Sequence, residues 1–163
     1  MVAKIHSEKP PAKLHRPSWD DYFMNLAQHV ATRSTCLRHH VGAVLIRNKR
    51  ILATGYNGAP SGMKHCLEIG CIRDQLKIPS GTKQEICRAI HAEQNAIVQC
   101  AVYGVSSNES TLYITHQPCT ICAKIIINAG VKRIVFQKPY PDAYAQSLLK
   151  EAGVKLERWL SKG

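Results

Sequence analysis

Aromatic residues are scarce in this chain: two Phe, two Trp and six Tyr make up 6% of its 163 positions. They do not interleave with the basic residues. That argues against the stacking platform on which proteins lay out single-stranded nucleic acid. No apolar run approaches the roughly 20 residues that span a bilayer, so no membrane partner is expected. The first residues lack an apolar signal core with a cleavage site, and the sequence predicts a soluble, cytoplasmic protein. Internal repeats and low-complexity tracts are absent. Acidic residues are few. Eleven Asp+Glu stand against 22 Lys+Arg, a net charge of +11. Such an excess favours anionic partners, either nucleic acid or free nucleotides.

What remains suits one globular domain. Apolar residues are 45% and charged residues 20% of the chain, and this length supports one hydrophobic core. Residues 1–17, "MVAKIHSEKPPAKLHRP", hold four Lys/Arg, three prolines and no periodicity. They read as a basic N-terminal arm ahead of a domain at 18–163. The seven cysteines, at 36, 66, 71, 87, 100, 119 and 122, point to metal ligation rather than disulfides in a chain without an export signal.

Periodicity outlines the domain. Ser18 and Asp21 make a capping box for a first helix reaching about Arg33. "VGAVLIR" (41–47) and "RILATGY" (50–56) flank Asn48-Lys49 as a hairpin. Residues 57–84 form a long irregular stretch, too long for a passive connector. A second helix is predicted from about Glu85 to Tyr103. "STLYITH" (110–116) is a strand, a third helix starts near Pro118-Cys119 and stops at Gly130, and "VKRIVFQ" (131–137) is a strand. Asp142 opens a fourth helix that ends at Gly153, and "VKLERW" (154–159) is a last strand. The order α-β-β-α-β-α-β-α-β predicts a three-layer α/β/α sandwich around a mixed five-stranded sheet. In open α/β sheets the site lies beyond strand ends near helix starts.

Two motifs fall near such starts. "PCTIC" (118–122) sets Cys119 and Cys122 three apart at a helix entry, where Pro118 costs no hydrogen bond and free N–H groups favour thiolates. In "AIHAEQNAI" (89–97), His91 and Glu93 interrupt an apolar row and need partners or a task. Two sulfurs and the His91 imidazole make a three-ligand zinc site with one open position, a catalytic arrangement. Glu93 is then free to take a proton from water at that position and pass it to a ring nitrogen and to leaving ammonia. Alone, a C-x-x-C is weak evidence, and a helix His is usually core. Together, H-x-E…P-C-x-x-C is a signature of zinc nucleobase deaminases.

From Trp19 to about Trp159 the chain resembles the deoxycytidylate (dCMP) deaminases, including their late-competence-operon relatives. "WDDYFM" (19–24), "RSTC" (33–36), "VGAVLI" (41–46), "GYNGAPSG" (55–62), "CRAIHAEQNAI" (87–97), "THQPCTICAKIIINAG" (115–130) and "YPD" (140–142) carry the resemblance. It implies a cytidine deaminase-like fold and hydrolysis of dCMP to dUMP and ammonia, with dUMP feeding thymidylate synthesis. It implies that Asn57 contacts the base or deoxyribose, that Arg33 and Ser34 lie near the 5′-phosphate, and that Tyr140 lies beside the pyrimidine. It also implies a homohexamer, activation by dCTP with magnesium and inhibition by dTTP, through a loop that includes Gly55, Tyr56 and Gly58. Other readings are a deaminase of another cytosine nucleotide, of tRNA or of single-stranded DNA, and a non-enzymatic zinc protein of DNA uptake. The last would have no use for Glu93.

Five cysteines stay outside the catalytic set. Cys100 reads as core. Cys36, Cys66, Cys71 and Cys87 bracket the irregular stretch and the helices beside it, and a closed four-thiolate zinc would fix that stretch. Some viral family members carry a second zinc near the positions matching Cys36 and Cys66.

Overall fold

The computed structural model describes residues 16–160. The predicted basic arm falls almost wholly outside the described residues. The first helix, α1 (Trp19–Ala31), starts where its cap requires: the Ser18 side chain accepts a hydrogen bond from the Asp21 N–H. Strands β1 (Gly42–Arg47) and β2 (Arg50–Tyr56) form the hairpin, with Asn48 and Lys49 both at positive φ as a tight turn requires. Two one-turn helices follow, α2 (Cys66–Ile69) and α3 (Ile72–Gln75), and then a 3-10 turn at Gln84–Ile86. The rest alternates: α4 (Ala92–Val102), β3 (Thr111–His116), α5 (Thr120–Asn128), β4 (Arg133–Lys138), α6 (Ala143–Glu151) and β5 (Lys155–Arg158).

The strands form one sheet in the order β2-β1-β3-β4-β5. The hairpin and the β1–β3 pair are antiparallel. The pairs β3–β4 and β4–β5, linked through α5 and α6, are parallel. Alternation along β1 sorts the two faces. Val44 and Ile46 meet Phe23, Met24 and Ala27 of α1. Ala43 and Leu45 join α4, α5 and α6 on the other side, with Ala92, Ala96, Cys122, Ala123, Ile126 and Leu149. The sandwich has the predicted three layers, and Cys100 is core at 2% exposure.

Helices on both faces come very close to the sheet. A Cβ on Gly42 would stand 2.1 Å from the Ala27 carbonyl oxygen, and one on Gly55 would stand 2.3 Å from that of Ala92. A larger residue at either position would drive a helix off the sheet.

The second predicted helix is shorter than the sequence suggested. It begins at Ala92 rather than Glu85, and His91 is its N-cap. Residues 84–86 make the 3-10 turn, and Ile90 pairs with Gly58 in an isolated antiparallel bridge. The segment before His91 therefore spends its backbone hydrogen bonds on the loop after β2. Gln94 explains where the helix starts, because its side-chain oxygen accepts from the His91 N–H at 2.9 Å.

Candidate active site and metal centre

Two neighbouring helix starts build the site. His91 caps α4 and Cys119 caps α5. Glu93 lies in the first turn of α4 and Cys122 in the first turn of α5. Asp142 holds the α5 start in place. Its carboxylate accepts from the Thr120 N–H at 2.8 Å and also caps α6 through the Ala145 N–H. One acid thus serves two helices.

His91 Nδ1 lies 3.3 Å from Cys122 Sγ and 3.6 Å from Cys119 Sγ. In a tetrahedral zinc shell, bonds of about 2.0 and 2.3 Å put nitrogen and sulfur about 3.5 Å apart. The donor set fits a zinc ion in both chemistry and spacing. Among the described residues it is the one group of three such donors lying within 4.8 Å of one another. A hydrogen bond from Cys122 pulls the Cys119 thiol down to about 4, and His91 adds to the effect. The same bond, together with burial, pushes the Cys122 thiol far up. One proton leaves readily, while the second leaves only if a cation takes its place.

Glu93 is 4% exposed. Burial pushes its carboxyl up to about 7, against the opposing pull of His91. Together with the three donors except the fully buried Cys122, it lines a cavity of about 370 Å³, in the range of small-molecule sites. Among the lining residues it is the only acid.

The other predicted residues divide. Asn57 and Tyr140 line the cavity. Asn57 is 8% exposed, and its amide accepts from the Val41 N–H and donates to the His39 carbonyl, both at 2.8 Å. It clamps the 39–41 backbone as well as facing the cavity. The Tyr140 hydroxyl accepts from Gln84, and its carbonyl accepts from Gln117. Arg33 and Ser34 do not line the cavity. Arg33 is exposed at the end of α1, while Ser34 is buried and donates to the Asn57 carbonyl at 3.0 Å. The basic residues that do line it are Arg38, Arg73 and Lys138, with His39 and His116. Burial pulls His116 down to about 4 and so keeps it neutral, with Lys138 acting in the same direction. Arg38, His39, Arg73 and Lys138 were missed because they come from three segments without a shared motif, and His116 lies in the 115–130 stretch but was given no role there.

Gly55, Tyr56 and Gly58 lie outside the cavity lining. Gly55 faces α4, Gly58 bridges to Ile90, and the Tyr56 carbonyl accepts from Asn95. Cys36, Cys66, Cys71 and Cys87 all line the cavity as free thiols. Burial raises the Cys66 thiol, and the nearby Cys71, Cys36 and Cys87 add to that. No three of these four sulfurs come within 4.8 Å of one another. His65, next to Cys66, is engaged with Thr35 Oγ1 at 3.1 Å.

Residues 17–138 match the family model described as cytidine and deoxycytidylate deaminase zinc-binding region. The chain is 42% identical over 146 residues to ComE operon protein 2 of Bacillus subtilis, covering 89% of this chain and 73% of that protein. It is 40% identical over 146 residues to the deoxycytidylate deaminase of Schizosaccharomyces pombe, covering 89% of this chain but only 45% of that longer protein. The crystal structure of the cyanophage S-TIM5 dCMP deaminase in complex with dCMP and dUMP superposes with a TM-score of 0.72 at 34% identity. The match covers 88% of this chain and 98% of that one. The His-Cys-Cys centre and its buried carboxylate sit within the matched span, and the chain belongs to the cytidine and deoxycytidylate deaminase family.

Proposed function

We propose that this chain is a zinc-dependent dCMP deaminase, hydrolysing dCMP to dUMP and ammonia. The observation that carries the reading is the Glu93 carboxylate, buried and alone among basic residues, in the cavity that His91 and Cys119 also line. His91, Cys119 and Cys122 would hold a zinc ion, which would supply the Lewis acidity that activates a water near neutral pH. Glu93 holds the proton that water gives up and delivers it to the pyrimidine ring nitrogen, then to the departing amino group. Burial serves this task, because a carboxyl that binds a proton near neutrality can also return it. Asn57 and Tyr140 line the space beside these groups and orient the pyrimidine and deoxyribose. The dUMP product supplies thymidylate synthesis. Assay of purified, zinc-loaded protein on dCMP, dCTP, deoxycytidine, CMP and a cytosine oligonucleotide tests the reading. It expects dUMP formation from dCMP, and no product from dCMP would overturn it.

Finer features belong to the same reading. A second, structural zinc is assigned to Cys36, Cys66, Cys71 and Cys87. What supports it is their common position on the wall of one cavity and their mutual influence at Cys66. A homo-oligomer, a hexamer by resemblance, is supported by exposed apolar side chains on α4 and α5: Val98, Val102, Ile121 and Ile125. Regulation by dCTP with magnesium and by dTTP is assigned to Gly55, Tyr56 and Gly58. The Gly58–Ile90 bridge supports it, since a ligand that moves this loop moves the segment leading into His91. Among the described residues no helix is long and apolar enough to cross a membrane.

A further inference from the structure

Arg73 stands out among the buried residues. It is 8% exposed, it lines the cavity, and its Nε has no hydrogen-bond partner. Its Nη2 donates to the carbonyls of Pro79 and Thr82, at 3.0 and 2.8 Å. Among the described residues no carboxylate pairs with it. The acids nearest in sequence do not serve, since Asp74 pairs with Arg38 at 3.5 Å. A guanidinium is rarely buried without an anion, because burial strips its hydration and carbonyl dipoles return only part of that loss.

The surroundings point the same way. Arg38 and Lys138 line the same cavity. Arg38 donates to the Ile78 carbonyl at 3.1 Å, so it grips the same loop that Arg73 holds. His39, which also lines the cavity, bonds Ser80 of that loop at 3.0 Å. Burial holds His39 below its ordinary value, and the positive charges of Arg38, Arg73 and Lys138 act in the same direction. Three cations thus line a cavity whose one acid, Glu93, sits beside the metal ligands.

We infer that Arg73, flanked by Arg38 and Lys138, is the residue that binds the 5′-phosphate and makes the enzyme select a nucleotide over a nucleoside. This inference rests on the deaminase reading and adds a specificity-determining residue to it. Guanidinium matches phosphate in geometry and charge, and the free Nε supplies a donor for it. A site that leaves a buried Arg unpaired whenever a nucleoside binds discriminates strongly against the nucleoside.

The test compares kcat/KM for dCMP and deoxycytidine in the wild type, Arg73→Met, Arg73→Lys and Lys138→Gln, all zinc-loaded. Titration calorimetry with inorganic phosphate runs beside it. Arg73→Met should reduce the dCMP to deoxycytidine preference roughly 100-fold and abolish phosphate binding, because one buried charge-assisted contact is lost. Arg73→Lys should restore part of both. Lys138→Gln, at an exposed position, should shift the preference in the same direction by less. Equal losses on the two substrates with phosphate binding intact would reduce Arg73 to a brace for the 78–82 loop and overturn the inference. If the wild type deaminates neither substrate, the deaminase reading fails instead, and phosphate binding by wild type against Arg73→Met alone decides the anion site.

Discussion

Cys122 Sγ lies 3.3 Å from His91 Nδ1, although the two residues are 31 positions apart in sequence. The contact joins the first turns of α4 and α5, and those turns hold the three metal donors and the proton carrier. Cys119→Ala should therefore lose zinc and deamination together, while the fold, carried by two separate cores, persists. Metal analysis beside circular dichroism reads this. A variant that keeps full zinc would remove Cys119 from the ligand set.

Glu93→Gln separates the proton carrier from the metal. The amide keeps the size of the side chain but cannot hold the proton. Zinc content should stay at the wild-type level, and the rate should fall roughly 100- to 10,000-fold. A near wild-type rate would assign the proton transfer to another group.

Two zinc ions per chain are expected. Cys71→Ser should lose one of them and leave the His91 site loaded, because Cys71 caps α3 and takes no part in the helix starts at 91 and 119. One zinc per chain in fully active wild type would rule out the second site.

Gly55→Ala should destabilise by about 1–3 kcal/mol, the usual cost of overpacking. The added carbon would stand 2.3 Å from the Ala92 carbonyl, one residue from His91. A fall in activity larger than the fall in stability would mark β2 as the support on which the site rests. A denaturation curve unchanged from wild type would contradict the close packing.

A carboxylate clasp far from the site sets part of the acid stability. Arg133 donates to both oxygens of Asp20, at 2.9 and 2.8 Å, and Tyr113 donates to the same carboxylate. The hydrogen bond from Arg133 is the main reason that the Asp20 carboxyl titrates below its usual 3.8. A folded value below the unfolded one means that the stabilisation is complete above the unfolded value. It is lost as pH falls through the folded one. Asp20→Asn should cost about 1 kcal/mol at pH 7, a figure reduced by the partial exposure of both partners. The difference from wild type should shrink as the pH falls below 3.8 and vanish once Asp20 is protonated in the folded state. A difference that persists there would mean that packing, not charge, was lost.

Much of this molecule could be read from its residues. Ser18 caps α1 and Asp142 caps α6, as their side chains suggest. The hairpin turns at Asn48-Lys49, and the alternation of Ala43, Val44, Leu45 and Ile46 sorts the two faces. The chemical motif was legible because its residues repeat a known spacing. The start of α4 was misplaced because histidine is an uncommon N-cap. Gln94, three residues on, was the available signal. Helices α2 and α3 have four residues each, too few to show a 3.6-residue period. Arg73 left no mark because its significance is burial without an anion, which only three dimensions reveal.

The clasp between Asp20 and Arg133 spans 113 positions of sequence, and this separation sets a schedule for synthesis. A ribosome adding roughly 5–20 residues per second needs roughly 6–23 seconds to cover that interval. During it, α1 can meet Val44 and Ile46 of the hairpin but not Val135, nor the Trp159 indole that donates to Asp21 at 2.8 Å. Helix α1 thus emerges ahead of the other described helices but is locked only after β4 and Trp159 appear. Nascent chains stalled before residue 133 should be cut by protease within α1, and chains stalled well beyond residue 159 should resist. Equal resistance at both lengths would show that the hairpin alone secures the helix.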